Sequence, residues 1–365
     1  MSKARKYLNI KGDFDLYRGG KLQDPSIAYE TWGSLNQDKS NAILIFTGLS
    51  PSAHAASSPD DSSAGWWEDM IGPDHAIDTN KFFVICVNSL GSCFGSTGAN
   101  SINPSTGRKY KSTFPVLSLE DVAKGGYEVI KSHGISKLAC LIGPSMGGMT
   151  ALAFEVVFPG LTKSCLLIST CTRAASMSIA IRSIQREIIR SDPNWKGGEY
   201  DNENLPITGI RLARKIGMLS YRSSFEFQKR FGRERVSIGH DSDDSLSLDF
   251  EVESYLDYHA RQFIGQFDPN CYLSLSRASD LFDLADHGGS LEAAMKLIRA
   301  DKILVIGVRK DQLFPYWQQE ELHNLFKETG KDTSLVTLDC KQGHDSFLAS
   351  MDDFRPPIAK FLSSI

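Results

Sequence analysis

The chain alternates short apolar runs with longer stretches of helical spacing. Ala42–Phe46 ends at Thr47-Gly48, Phe82–Val87 at Asn88 and Leu138–Ile142 at Gly143; Cys165–Ser169 is a fourth run. Apolar runs of this length, bounded by turn residues, predict strands of a parallel sheet buried on both faces. Leu119–His133 lies between two of them and predicts a crossover helix. Strand-like runs return only at Lys302–Val308 and Ser334–Leu338. Between Arg173 and Arg299 the pattern is helical, as in Ser178–Arg190 and Ile210–Tyr221. The expectation is a sheet domain of residues 1–172 and 300–365, interrupted by a helical insertion at 173–299. Insertions of this kind form lids and substrate pockets. Gly239–Ser247, rich in Asp and Ser, is the expected mobile loop.

Composition narrows the function classes. A net charge of −4 offers no basic excess for nucleic acid. No apolar stretch follows the first basic residues, and no run of about 18 apolar residues occurs. Neither a secretory signal nor a membrane span is therefore expected. The cysteines number seven, an odd count scattered through strand-like runs. That argues for free thiols in a reducing cytoplasm. None forms a C-x-x-C pair, so no metal centre is expected.

The strongest chemical signal is Gly143-Pro144-Ser145-Met146-Gly147. It follows the strand-like run Leu138–Ile142 and precedes the helical pattern Met149–Phe158. This is the strand–turn–helix setting that G-x-S-x-G requires in the α/β-hydrolase fold. The fold class read from the chain is therefore α/β, with a mostly parallel sheet and a helical lid. The turn lifts the Ser145 hydroxyl above the sheet, and the helix N-terminus offers the Met146 N–H to a developing oxyanion. A serine hydroxyl needs a base, and the base an orienting carboxylate. In this fold they follow in the order serine, acid, histidine. His344 lies just past the last strand-like run, in Gln342-Gly343-His344-Asp345. His323 sits in the helical pattern Gln319–Phe326 and reads as a surface residue. His240, His259 and His287 fall in the insertion; His287-Gly288-Gly289 mimics an oxyanion loop from the wrong part of the chain. Asp311 follows Lys302–Val308 at a strand's C-terminal end, where active-site groups collect in open sheets. Asp301 would sit at the opposite edge. The catalytic set expected is Ser145, Asp311 and His344, with the Leu49 N–H, in the loop after Ala42–Phe46, as second oxyanion donor. His54, at the end of that loop, suits either the pocket wall or a structural role.

These residues, and others along almost the whole chain, resemble the homoserine/serine O-acyltransferases of this fold. Ala28-Tyr29-Glu30-Thr31-Trp32-Gly33, Asn103-Pro104-Ser105-Thr106-Gly107, Asp192-Pro193-Asn194-Trp195, Arg230-Phe231-Gly232-Arg233 and Gly343-His344-Asp345 carry the resemblance. It implies a ping-pong reaction of amino-acid biosynthesis. Ser145 would take the acyl group from an acyl-CoA and pass it to an amino acid hydroxyl, with no permanently bound cofactor and no metal. It further implies Arg214 as the fork for the amino acid carboxylate, Asp345 as partner of its ammonium, and a homodimer built through the insertion.

Finer features are similar to the branch that uses serine and a succinyl donor. The elbow reads Gly-Pro-Ser where the acetyltransferases usually show Gly-Gly-Ser. Asn88-Ser89-Leu90-Gly91-Ser92-Cys93 has no second Gly before its Cys, and Arg182 stands where they usually show Asn. A succinyl group carries a free carboxylate, so Arg182 or Arg186 is the expected acyl-specificity residue. Succinyl-CoA and L-serine are the expected substrates. Acetyl-CoA, L-homoserine and a hydrolytic esterase or thioesterase are the rivals. An inactive binding protein on the same fold is disfavoured by the intact trio.

Overall fold

A computed structural model describes residues 4–236 and 248–365. The expected mobile loop Gly239–Ser247, with His240, lies outside the described residues. Eight strands build the central sheet: β1 (Lys6–Asn9), β2 (Ser26–Trp32), β3 (Ala42–Phe46), β4 (Phe83–Val87), β5 (Leu138–Pro144), β6 (Thr162–Ile168), β7 (Lys302–Val308) and β8 (Asp332–Leu338). Their order across the sheet is β1-β2-β4-β3-β5-β6-β7-β8. β2 runs antiparallel to both β1 and β4, and every other neighbour pair is parallel.

The apolar runs become buried strands because alternate side chains feed two cores. Leu44, Phe46, Leu141, Leu167 and Val305 face one cluster; Ile43, Ile45, Ile142, Leu166 and Ile306 face the other. α1 (Leu119–Ser132) and α2 (Met146–Val157) bring Leu119, Met149 and Phe154 to the first. α1 starts where Ser118 and Asp121 form a reciprocal capping box. The insertion supplies α3 (Ser176–Ser191), α4 (Ile207–Tyr221), α5 (Ser224–Phe231), α6 (Glu251–Phe263) and α7 (Pro269–Leu281) between β6 and β7. α8 (Tyr316–Glu328) and α9 (Met351–Leu362) return to the sheet; Phe326 of α8 joins the first core and Phe354 of α9 the second.

Polar bonds fasten the insertion helices to one another. Gln185 of α3 donates to the Ala213 carbonyl of α4 at 2.8 Å. Asp257 of α6 binds Arg211 and Lys215 of α4 at 2.6 and 2.7 Å. Asp280 of α7 binds Arg182 and Arg186 of α3, each at 2.6 Å. No helix among the described residues is long and apolar enough to cross a membrane.

Candidate active site

The chain leaves β5 at Pro144 and enters α2 at Met146, so Ser145 alone makes the turn. It holds φ 57°, ψ −128°, a strained backbone for a residue with a side chain. Its neighbours hold it there. The Ser145 N–H donates to the Ile168 carbonyl at 2.8 Å, and its own carbonyl accepts the Thr170 hydroxyl at 2.8 Å. The flanking glycines have a steric reason. A Cβ on Gly143 would lie 2.2 Å from the Gly147 oxygen, and one on Gly147 would lie 2.2 Å from the Phe46 oxygen. Only glycine lets β3, β5 and α2 close to that distance.

Three loops at the C-terminal ends of the strands then converge. His344 Nε2 lies 2.7 Å from Ser145 Oγ, and His344 Nδ1 lies 2.7 Å from Asp311 Oδ2. The other Asp311 oxygen, Oδ1, accepts the N–H groups of Leu313 and Phe314 at 2.9 and 2.8 Å. The carboxylate is thus fixed from one side while it orients the imidazole from the other. The His344 ring stacks on Phe314 at 4.9 Å and meets the edge of Phe347 at 5.8 Å. All three residues are buried. A hydroxyl beside a nitrogen that can accept its proton, with the second nitrogen tied to a carboxylate, is built for nucleophilic attack.

Ser145 and His344 face a cavity of about 130 Å³ that Leu49 and Met146 also line. Met146 opens α2, where an N–H has no intrahelical partner. The Leu49 loop passes close by: a Cβ on Gly48 would lie 4.0 Å from that of Ser145. Arg182, Arg214 and Asp345 line the same cavity. The Arg214 guanidinium lies over the Phe263 ring at 4.6 Å, and its Nε finds no partner among the described residues. Arg182 binds Asp280 through Nε, while its buried Nη2 is likewise unpartnered. Unpaired guanidinium nitrogens at a buried cavity are costly unless an anionic ligand satisfies them. Burial raises the Asp345 carboxyl above its ordinary pKa, opposed by Arg222, whose Nε lies 3.2 Å away, and by His344 and Arg214.

Several expectations change. Arg186 does not line the Ser145 cavity. It binds Asp280 and the Ser276 hydroxyl, at 2.6 and 3.0 Å, and lines a separate groove of about 990 Å³. His54 is absent from the cavity wall; its ring turns to Glu30 and the Ser63 carbonyl. His323 is half-buried rather than a surface residue, with Nδ1 3.1 Å from the Thr333 hydroxyl. His287 pairs with buried Glu120 at 2.9 Å, and His259 meets Tyr255 edge-on. Sequence alone does not single out Thr170, Arg222 and Gln319. Gln319 of α8 donates to the Thr170 carbonyl at 2.7 Å and the Phe314 carbonyl at 3.4 Å, bracing the elbow against the Asp311 loop. Only tertiary contact brings these three to the site, so no spacing marks them.

Known proteins bear on this geometry. Residues 41–349 match the model of the alpha/beta hydrolase fold. The chain is 51% identical over 357 residues to a serine O-succinyltransferase of Stenotrophomonas maltophilia, covering 98% of this chain and 96% of that protein. The crystal structure of homoserine O-acetyltransferase from Bacillus anthracis superposes with a TM-score of 0.90 at 30% identity, over 98% of this chain and 97% of that one. That of esterase E22 does so with 0.89 at 30% identity, over 98% and 99%.

Proposed function

The chain belongs to the serine O-succinyltransferase family of the α/β-hydrolase fold, and from that premise we propose that it moves succinyl from succinyl-CoA to the hydroxyl of L-serine through an ester on Ser145. The observation that carries the chemistry is the Ser145–His344–Asp311 chain of two 2.7 Å contacts at the cavity.

In the first half-reaction the Ser145 oxygen attacks the thioester carbonyl while its proton passes to His344 Nε2. The N–H groups of Leu49 and Met146 are the proposed donors to the oxyanion. Collapse breaks the C–S bond, and the sulfur leaves with the proton from His344. In the second half the acceptor hydroxyl gives its proton to His344 and attacks the ester. Collapse returns the proton to Ser145 and releases the O-acyl amino acid. Arg214 is proposed to hold the acceptor carboxylate and Asp345 its ammonium. The free Arg182 Nη2 supports this residue, rather than Arg186, as the anchor of the succinyl carboxylate.

The partner state belongs to the same reading. Met177 and Ile184 of α3, and Leu212 and Leu219 of α4, are exposed at seven-residue spacing on two packed helices. These apolar stripes support a homodimer formed through the insertion. Seven free cysteines support a reducing, cytoplasmic setting.

The test is free-thiol release from succinyl-CoA or acetyl-CoA with serine, homoserine or no amino acid. Succinyl-CoA with serine is expected to be the fastest pair. Faster turnover with homoserine overturns the acceptor, and faster turnover with acetyl-CoA overturns the donor. Thiol release independent of any amino acid gives the thioesterase reading, which the likeness to esterase E22 favours.

A further inference from the structure

The loop that carries Leu49 has two ends. One continues β3. The other ends at His54, whose main chain is woven into the following segment. Its N–H meets the Ser52 hydroxyl at 3.2 Å, and its carbonyl accepts the Trp66 N–H at 3.3 Å; the Trp66 indole donates to the Ser52 carbonyl at 3.0 Å. The His54 side chain then reaches into the sheet. Nδ1 lies 2.8 Å from Oε2 of Glu30, a carboxylate buried in β2. Nε2 lies 2.9 Å from the Ser63 carbonyl and 3.2 Å from the Ser63 hydroxyl. The Ser63 hydroxyl donates its proton to Asp61 at 2.6 Å, so it too faces Nε2 as an acceptor. Both ring nitrogens therefore point at acceptors, and an imidazole satisfies both only with a proton on each.

We propose that His54 is held as an imidazolium and is a positioning residue for the oxyanion loop, its charge fixing the far end of the segment that presents Leu49. The inference rests on the acyl-enzyme reading above, through Leu49. The charged groups facing the ring are Glu30 from β2, with Arg5 3.8 Å behind that carboxylate, and Asp61 and Glu68 from the loop that follows. Burial opposes the charge, but Glu30, the Ser63 carbonyl and Asp61 outweigh it and raise the imidazole above its ordinary value of 6.5. When pH rises through that raised value, one of the two ring bonds is lost and the pair with Glu30 is discharged. The stabilisation is present below the unfolded-state pKa and is lost as pH rises through the raised value.

The measurement is the first-turnover rate of thiol release from succinyl-CoA as a function of pH. Complete loss of one oxyanion donor costs about 10²–10³-fold, so partial misplacement gives an alkaline fall of roughly 10- to 100-fold to a plateau. The acceptor KM is expected to hold. His54→Gln should lie on the low plateau with no alkaline limb. Glu30→Gln should move the limb to lower pH, a shift that a packing role alone does not produce. A limb unchanged in either folded variant overturns the proposal. Should the variants not fold, ¹⁵N NMR of wild-type His54 decides. Titration above 6.5 that coincides with the limb supports the proposal, and titration at or below 6.5 overturns it. Mass spectrometry of wild type after succinyl-CoA treatment separates the two readings. Without an ester on Ser145 the acyl-enzyme reading fails, whatever charge His54 carries.

Discussion

Asp311→Asn is the most discriminating change to the proposed machinery, because the structure dictates which way the amide must face. Asp311 Oδ1 already accepts two buried N–H groups, from Leu313 and Phe314. The amide oxygen has to take that side. Turning the NH₂ there instead would leave both donors unpaired, at about 1–3 kcal/mol each. The NH₂ therefore faces His344 Nδ1, which can meet it only as an acceptor. The ring proton moves to Nε2, opposite Ser145 Oγ, where the nitrogen can no longer take the serine proton. Activity survives only in the fraction with the amide reversed. Two unpaired donors at about 2–6 kcal/mol in total make that fraction smaller by roughly 30- to 2 × 10⁴-fold. The upper end agrees with the loss of about 10⁴-fold when the aspartate of a serine protease triad becomes asparagine. The assay is kcat for thiol release from succinyl-CoA with saturating serine, alongside a thermal melt. A loss below tenfold at unchanged Tm would mean that His344 does not depend on Asp311 for its tautomer.

Two further outcomes are expected. Arg182→Ala should lower kcat/KM for succinyl-CoA about 10- to 150-fold, the worth of a charged hydrogen bond of about 1.5–3 kcal/mol, and spare acetyl-CoA; Arg186→Ala should spare both donors, and equal loss of the two donors in the Arg182 variant removes its role. Asp257, whose pKa is held well below the ordinary carboxylate value by Lys215 first, against burial, and then by Arg261 and Arg211, should stabilise the α4–α6 pair above pH about 4 and lose that effect as pH falls; the Tm difference between wild type and Asp257→Asn should therefore shrink on acidification, and a difference constant from pH 7 to 3 contradicts the assignment.

Legibility in the sequence followed the physics of burial. The strands β3 to β7 are apolar because both faces are covered, so their runs stood out; β8, half-exposed at the edge of the sheet, shows only the shorter run Ser334–Leu338. β2 did not. Its run Ser-Ile-Ala-Tyr-Glu-Thr-Trp contains Glu30, which is 1% exposed and so reads as a break in any apolar pattern. That carboxylate is met inside the fold by His54, 24 positions away, and by Arg5, and neither pairing has a sequence signal. The site shows the same division. Ser145, Asp311 and His344 were found from one motif and the order of strand ends, and they lie within hydrogen-bond distance of one another. Arg182 and Arg186 could not be separated, because four-residue spacing puts both on one helix face. Asp280 takes a nitrogen from each, and only Arg182 reaches the cavity. Gln319 and Thr170 brace the elbow through backbone carbonyls, a partner that leaves no trace in residue type.

The likeness to an esterase as well as to an acetyltransferase, at nearly equal TM-scores, bears on where transfer is decided. A serine ester beside a histidine base is open to water and to an amino acid alike, and water is present at roughly 55 M. Transfer wins only if the acceptor hydroxyl is held so that its effective concentration exceeds that. Well-oriented groups reach about 10⁵–10⁸ M, so two fixed charges on the acceptor suffice in principle. The triad supplies none of this discrimination. The groups that can are Arg214, with its unpartnered Nε, and Asp345, both on the wall of a cavity of about 130 Å³. Arg214 is on α4, inside the insertion, and Asp345 is the residue after His344. Removing the insertion's contribution should therefore convert the proposed transferase toward hydrolysis rather than silence it: Arg214→Ala should raise the ratio of free succinate to O-succinylserine while leaving the first turnover of succinyl-CoA largely intact. A variant that loses the first turnover and keeps the product ratio would place Arg214 with the acyl donor instead of the acceptor.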